Sequence, residues 1–179
     1  MITCIDDRLW HVQDFVTGAE LDDIIQQPWL ELKWIKQENQ IDWPRRRILP
    51  DNPNIARVTD YIRKRLPEIN QALQTNFSSC DGHWWVDMPG FTCSMHTDGH
   101  LPNSMQLFWV APDETFGTGF YYYKNTRSLR YQFLSRPNSG YIMLNHSDED
   151  GSQPLQWHGM FNPVPSNKYR LSSYFYFYK

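Results

Sequence analysis

His96-Thr97-Asp98 is the short stretch that decides the fold of this chain, read together with a second histidine in Trp157-His158-Gly159. Alternate residues of a β-strand point to the same side, so the first histidine and the aspartate can reach one ion. The second histidine must then come from a strand that is adjacent in space but distant in sequence. Two histidines and one carboxylate can occupy one face of an octahedral Fe(II) and leave three positions open. The pattern therefore predicts a barrel-like sandwich of antiparallel strands around a metal site.

A basic residue follows these three residues along the chain. Arg170 opens the last predicted strand, in Tyr169-Arg170-Leu171-Ser172, and Ser172 shares its face. A guanidinium presents a planar fork of donors that binds a carboxylate bidentately. We therefore expect Arg170 to hold the far carboxylate of a keto-acid cosubstrate, and the complete set predicts oxygen activation at non-haem iron.

A second triplet of the same kind, His146-Ser147-Asp148, has a different context. It runs directly into the turn-forming residues Glu149-Asp150-Gly151-Ser152, and it lies too close to His158 to leave room for intervening strands. We interpret it as an exposed loop tip. The whole loop 145–156 is long, and we expect it to flank the site because it leads directly to His158.

The second half of the chain, residues 84–178, resembles the Fe(II)/2-oxoglutarate-dependent dioxygenases, especially their prolyl-4-hydroxylase-like branch. The segments that carry the resemblance follow one another in the order of that family: WVDMPGF (85–91), HTD (96–98), LFWVAPD (107–113), GTGFYY (117–122), RPNSGYIML (136–144), WHGM (157–160) and YRLS (169–172). The resemblance implies a double-stranded β-helix, also called a jelly-roll.

The resemblance also implies roles for individual residues. His96, Asp98 and His158 would be the catalytic iron ligands, and Arg170 would bind the distal carboxylate of 2-oxoglutarate with help from Ser172. The implied cofactors are Fe(II), the cosubstrate 2-oxoglutarate and O2. The implied reaction is hydroxylation of a substrate with release of succinate and CO2. Because halogenases of this family lack the carboxylate ligand, the aspartate favours hydroxylation.

Two departures from the family pattern bear on the substrate. Many prolyl hydroxylases have lysine at the position of Arg170, and the nucleic-acid-dealkylating branch has a second arginine a few residues later, which residues 173–178 lack. Nucleic acid is therefore not the expected partner. By resemblance, the first expectation is a prolyl residue in a peptide or protein. The alternatives are a free amino acid or other small metabolite, a non-catalytic jelly-roll that binds sugar or peptide, and a metal-binding cupin that does not need Arg170.

We expect one α+β domain spanning residues 1–179, in which 1–80 are mainly helical and 81–179 form the jelly-roll with the metal site. Thr17 and Glu20 form a capping box for a helix through about Gln27. Residues 30–37 suggest a strand. A clearer helix begins near Pro53 and is kinked or split by Pro67. Its apolar residues recur at helical spacing, which predicts packing against the outside of the sheet: Ile55, Val58, Ile62, Leu66, Ile69 and Leu73.

Three features remained open. Residues 45–50, with the cluster Arg45-Arg46-Arg47, suggest a loop or edge that is solvated or, alternatively, reaches an acidic substrate. The aromatic residues Trp85, Trp109 and Tyr123 either line the pocket or belong to the core. The oligomeric state has no signal in the sequence.

Composition limits the remaining classes of protein. The net charge of −3 and the pI near 6.0 give no overall attraction to nucleic acid or membranes. No apolar run reaches the roughly 20 residues of a transmembrane helix. The acidic N-terminus is unlike a signal peptide. Cys4, Cys80 and Cys93 have no C-x-x-C spacing, so we expect free thiols in the reducing cytoplasm.

Overall fold

The computed structural model describes residues 1–6, 8–35, 44–99, 101–145 and 156–179. The elements that it describes follow in chain order: β1 (Ile2–Asp6), β2 (Leu9–Gln13), α1 (Gly18–Ile25), β3 (Trp34–Ile35), β4 (Arg45–Ile48), α2 (Pro53–Lys64), α3 (Leu66–Leu73), β5 (Ser79–Asp87), β6 (Asn103–Val110), β7 (Gly117–Tyr121), β8 (Leu129–Leu134), β9 (Ser139–Met143), β10 (Trp157–Met160) and β11 (Arg170–Tyr178).

Two antiparallel sheets face each other. The larger has the strand order β1-β2-β9-β6-β11-β5-β4-β3, and the smaller has the order β10-β7-β8. Large apolar side chains fill the space between them: Leu9, Phe108, Phe120, Phe133, Tyr141 and Met143. Many strands that follow one another in the chain lie apart in one sheet or in different sheets, as in a jelly-roll. The predicted α+β jelly-roll is therefore confirmed.

The helices cover the outer face of the larger sheet. All six apolar positions predicted for the helical segment are buried against that sheet, in one cluster with Trp84, Val86 and Trp109. The Trp84 ring stacks on Trp29 at 4.9 Å and on Trp109 at 5.2 Å between ring centroids. Burying each large apolar side chain contributes roughly 1.5–3 kcal/mol, so this layer holds the sheet in place.

The helix boundaries follow the local signals in the sequence. Thr17 caps α1, and its reciprocal bonds with Glu20 complete the capping box. Asn52 caps α2. The helical segment divides at Arg65, immediately before α3, in which Pro67 occupies the first turn, where a missing N–H costs nothing. The predicted split at this proline is confirmed.

Three expectations need correction. Residues 1–80 are less helical than predicted, because they also contribute β1, β2, β3 and β4. These strands are short and pair with distant segments, as β2 does with β9, so the local sequence shows little of them. Of the loop or edge expected at residues 45–50, residues 45–48 form β4, which pairs with both β3 and β5, and residues 49–50 lie outside the strand. Of the strand expected at residues 30–37, the described part contains only β3.

Two simpler expectations concern helices and thiols. Within the described ranges, no helix combines the length and apolar character needed to cross a bilayer. The three cysteines are free thiols, as expected.

Candidate metal centre

His96, Asp98 and His158 lie together at one end of the jelly-roll. One nitrogen or oxygen of each residue lies within 4.8 Å of the others. His96 Nε2 is 3.5 Å from one Asp98 carboxylate oxygen, and His158 Nε2 is 3.6 Å from the other. The three side chains therefore present two imidazole nitrogens and a carboxylate to one small volume, which is the donor set predicted from the sequence.

The backbone brings the two histidines together. His158 lies on β10, and each histidine donates its backbone N–H to the carbonyl of the other, with both N···O distances at 2.9 Å. A side chain on the neighbouring Gly159 would lie 3.0 Å from the Met95 backbone, so glycine permits this close approach. The backbone thus sets the separation of the two imidazoles.

His96 does not lie at the end of a strand, which corrects the prediction. It belongs to the irregular connection between β5 and β6 and forms only the isolated bridge to His158. β5 ends at Asp87, before Pro89 and Gly90, where the backbone adopts a φ of +83°. A residue in that region of φ leaves the extended conformation, so the strand cannot continue to the ligand triplet.

Hydrogen bonds orient both rings. The Nδ1 of His96 lies 2.8 Å from the Ser94 carbonyl, and that of His158 lies 2.9 Å from the Gln156 carbonyl. A ring nitrogen that donates to a backbone carbonyl leaves Nε2 as the metal-binding atom. Both Nε2 atoms face Asp98, so the rings are oriented for a shared ion.

The two imidazoles have different electrostatic environments. The Cys93 thiol, whose Sγ is 3.6 Å from His96 Nδ1, is the main group that raises the pKa of His96 to about 9. Burial, reinforced by the charge of His96, lowers the pKa of His158 to about 4. His158 is therefore in the neutral form that binds a metal, whereas His96 must release a proton when a cation enters.

Sequence reasoning missed the hydrogen-bond partner of Asp98, the candidate carboxylate ligand. Tyr174, on β11, donates its hydroxyl to Asp98 Oδ2 at 2.9 Å. The available signal was the alternation along β11, since Tyr174 shares a face with Arg170 and Ser172. Its hydroxyl fixes one carboxylate oxygen, so Tyr174 positions Asp98.

We expect Tyr174→Phe to weaken metal binding by roughly tenfold, because outer partners of metal ligands typically contribute 10- to 100-fold in affinity. The change removes a single hydroxyl from a half-buried ring. Titration with Fe(II) or Zn(II) measures the effect. Tyr178→Phe, at the half-exposed end of β11, is the control. Equal affinities for the two variants would contradict the positioning role.

Arg170 is 2% exposed and lies on the wall of the cavity beside the three ligands. Its Nε and Nη2 atoms lie 2.7 and 2.6 Å from Asp87 Oδ2. The Nε of Arg45 lies 2.7 Å from the other oxygen of the same carboxylate. Asp87 therefore bridges two guanidinium groups. Asp87 was not assigned to the site from the sequence, which left open whether the cluster with Arg45 reaches a substrate.

The other predicted residues lie in different places. Ser172 is fully buried, with its Oγ 3.4 Å from the amide nitrogen of Gln106, a residue of the cavity wall. Trp85 lines the cavity. Trp109 instead belongs to the core beneath the helices, and Tyr123 is exposed.

Some predictions fall outside the described residues. Residues 146–155, which include the second triplet and most of the expected flanking loop, lie outside the described ranges. The interpretation of that triplet as a loop tip, and of the loop as a flank of the site, stays a prediction.

No family model and no curated protein matches this chain, but solved structures do. A prolyl-4-hydroxylase from Pseudomonas putida superimposes with a TM-score of 0.67 at 13% identity, over 96% of this chain and 92% of that one. HygX from Streptomyces hygroscopicus, solved with nickel, 2-oxoglutarate and hygromycin B, gives 0.64 at 10% identity, over 94% and 82%.

A third structure is that of a viral collagen prolyl hydroxylase from Paramecium bursaria Chlorella virus-1. It gives a TM-score of 0.60 at 14% identity, over 98% of this chain and 91% of that one. The chain has the fold of the 2-oxoglutarate-dependent oxygenases. The resemblance predicted from the sequence is thus confirmed at the level of the fold, and the activity rests on the residues of the site.

Proposed function

We propose that this chain is an Fe(II)- and 2-oxoglutarate-dependent oxygenase that hydroxylates its substrate. The observation that carries the proposal is the meeting of His96, Asp98 and His158 within 4.8 Å in a cavity whose wall also contains the buried guanidinium of Arg170. A non-catalytic binding module would give these four residues no shared purpose. In a metal-binding cupin, Arg170 would have no role in the site.

The three ligand residues fit Fe(II). Two imidazoles and one carboxylate form the facial triad of non-haem iron oxygenases, with the remaining positions open to small ligands. The carboxylate lies between the two Nε2 atoms and offers one oxygen towards each. With bound 2-oxoglutarate and O2, Fe(II) would supply the oxidation that gives succinate, CO2 and a hydroxyl group on the substrate.

Arg170 would orient the cosubstrate. Its guanidinium is buried, so a charge-assisted hydrogen bond to the distal carboxylate of 2-oxoglutarate would be strong. The bond to Asp87 fixes the direction of the guanidinium before any ligand arrives. Ser172 lies on the same face of β11, and its hydroxyl accepts a hydrogen bond from the side-chain amide of Gln106, which lines the cavity.

The cavity walls would keep the reaction away from water. The cavity has a volume of about 190 Å³, and its lining includes the aromatic side chains Trp85, Tyr141, Tyr174 and Tyr176. A prolyl side chain of a peptide, a free amino acid and another small metabolite are the proposed substrates.

Anaerobic absorbance titration tests the proposed function. We expect the Fe(II)-loaded protein to develop a visible charge-transfer band when 2-oxoglutarate is added. His96→Ala should show no band, because it lacks a ligand. Arg170→Ala should need at least about tenfold more 2-oxoglutarate, since truncating one partner of a buried charge pair costs about 2–5 kcal/mol.

Arg57→Ala is the matched control for Arg170→Ala. Arg57 pairs with Asp23 at the surface, and its side chain is 43% exposed. This variant should titrate like the wild type. Absence of both the band and iron binding in the wild-type protein would refute the proposed function.

A further inference from the structure

Two arginines lie on one face of the larger sheet, and one of them, Arg45, lines the cavity. Arg45 and Arg47 lie two residues apart on β4, so they share a face of the larger sheet. They pair with Asp87 and Trp85 of β5, respectively. Trp85, His83 and Arg45 line the cavity. We call this surface the arginine wall and define it by Arg45, Arg47, His83, Trp85 and Tyr176.

Arg45 is held in a fixed position on this wall. Its guanidinium carbon lies 4.5 Å from the centre of the Trp85 ring and 4.6 Å from that of Phe91. Its Nε lies 2.7 Å from Asp87, and the side chain is only 13% exposed. Because the aromatic rings and the carboxylate already order the guanidinium, binding a ligand would cost little further side-chain entropy.

Arg47 places a second positive charge beside the same rings. Burial is the main cause that lowers the pKa of His83 to about 4, and the charges of Arg47 and Arg45 lower it further. His83 is therefore neutral at pH 7 and adds no further positive charge. Among the described residues, Arg47 forms no ion pair with a carboxylate.

The less exposed charges of the described site do not balance once its ligands are bound. Arg45, Arg47 and Arg170 lie near two carboxylates, Asp87 and Asp98, of which the second would bind the metal. The charges of Fe(II) and 2-oxoglutarate would cancel each other. Asp81, which also acts on His83, is exposed, so solvent screens its charge. An anion bound beside the arginines would balance the remaining positive charge.

We infer that the substrate oxidised at this site carries a carboxylate group that binds to Arg45 and Arg47 on the arginine wall. The inference rests on the proposed function and selects among its substrates. An internal prolyl residue of a protein has no carboxylate, whereas a free amino acid or another small organic acid does. The planar guanidinium fork of Arg45, which lines the cavity, matches a carboxylate.

The test compares an anionic probe with its neutral counterpart. Protein loaded with redox-inert Zn(II) and saturated with 2-oxoglutarate is titrated calorimetrically with 3-phenylpropionate and with 3-phenylpropionamide. We expect the anion to bind at least about tenfold more tightly, since a buried charge pair is worth more than a neutral contact. Arg47→Gln should remove this preference, and Arg47→Lys should retain part of it.

Two controls make the result specific. Arg57→Gln, at an exposed ion pair, should keep the preference for the anion. The affinity of Arg47→Gln for 2-oxoglutarate should stay within about twofold of wild type, because Arg170 holds the cosubstrate. Equal binding of the two probes, or an unchanged preference in Arg47→Gln, would overturn the inference. A parallel loss of 2-oxoglutarate binding in that variant would also overturn it, by placing Arg47 in the cosubstrate site.

The proposed function can fail separately. If Zn(II)-loaded wild-type protein does not bind 2-oxoglutarate, the proposed function is wrong. The same two probes, titrated without 2-oxoglutarate, still report whether the arginine wall selects an anion.

Discussion

Asp98→Ala is expected to lower the affinity for Fe(II) by more than about a hundredfold and to eliminate turnover of 2-oxoglutarate. Loss of a residue that hydrogen-bonds to a metal ligand already lowers metal affinity 10- to 100-fold. The effect should be larger for Asp98, because it is proposed as a direct ligand. It is the carboxylate between the two imidazoles, 3.5 and 3.6 Å from their Nε2 atoms. Without it, two histidines remain, and His96 must still lose a proton on metal binding.

Equilibrium dialysis against Fe(II) under anaerobic conditions measures this effect. Asp113→Ala is the matched control, because Asp113 is an exposed carboxylate in the turn after β6. Circular dichroism should show that both variants are folded, since Asp98 lies outside the paired strands and its change removes a hydrogen bond from Tyr174. Wild-type metal affinity in Asp98→Ala would show that the metal, if any, binds elsewhere.

The largest expected effect on stability comes from Asp87. Asp87→Ala is expected to lower the free energy of unfolding by roughly 3–5 kcal/mol, the usual cost of breaking a buried ion pair by removing one partner. Its carboxylate is fully buried and lies 2.6 and 2.7 Å from nitrogens of Arg170 and Arg45. Removing it leaves two neighbouring guanidinium groups that repel each other in a poorly solvated position.

Urea denaturation followed by tryptophan fluorescence measures this loss. Asp23→Ala is the control, because Asp23 pairs with Arg57 at the surface and its side chain is 63% exposed. That variant should lose no more than about 1 kcal/mol, as expected for exposed ion pairs. If the two variants are equally stable, the Asp87 carboxylate does not hold the two arginines together.

The sequence predicts the parts of the structure that have local signals. Thr17 and Glu20 identify the start of α1, and the apolar spacing from Ile55 to Leu73 identifies the helices and their buried side. The jelly-roll follows from the order of the segments around His96 and His158. Each of these predictions depends on residues close together in sequence, or on a resemblance that preserves their order.

The parts that escaped prediction depend on how distant strands align. β5 pairs with β4 on one side and with β11 on the other. In this register, Arg45 of β4 and Arg170 of β11 both lie opposite Asp87. A one-residue shift of either pairing would send the partner to the opposite face. Register of this kind has no local signal, so the carboxylate bridge, and the contact of Tyr174 with Asp98, became visible only in the structure.

The position of β11 in the larger sheet has a consequence for the order of folding. β11 is the last strand along the chain, yet it lies between β5 and β6, near the middle of the sheet. Pairings between segments far apart in sequence form slowly, because closing the long loop between them lowers the chain entropy before the new contacts stabilise the pair. The sheet therefore cannot close until the chain through Tyr178 has been synthesised. Since β11 also supplies Arg170 and Tyr174, the wall of the candidate site is complete only after this late step.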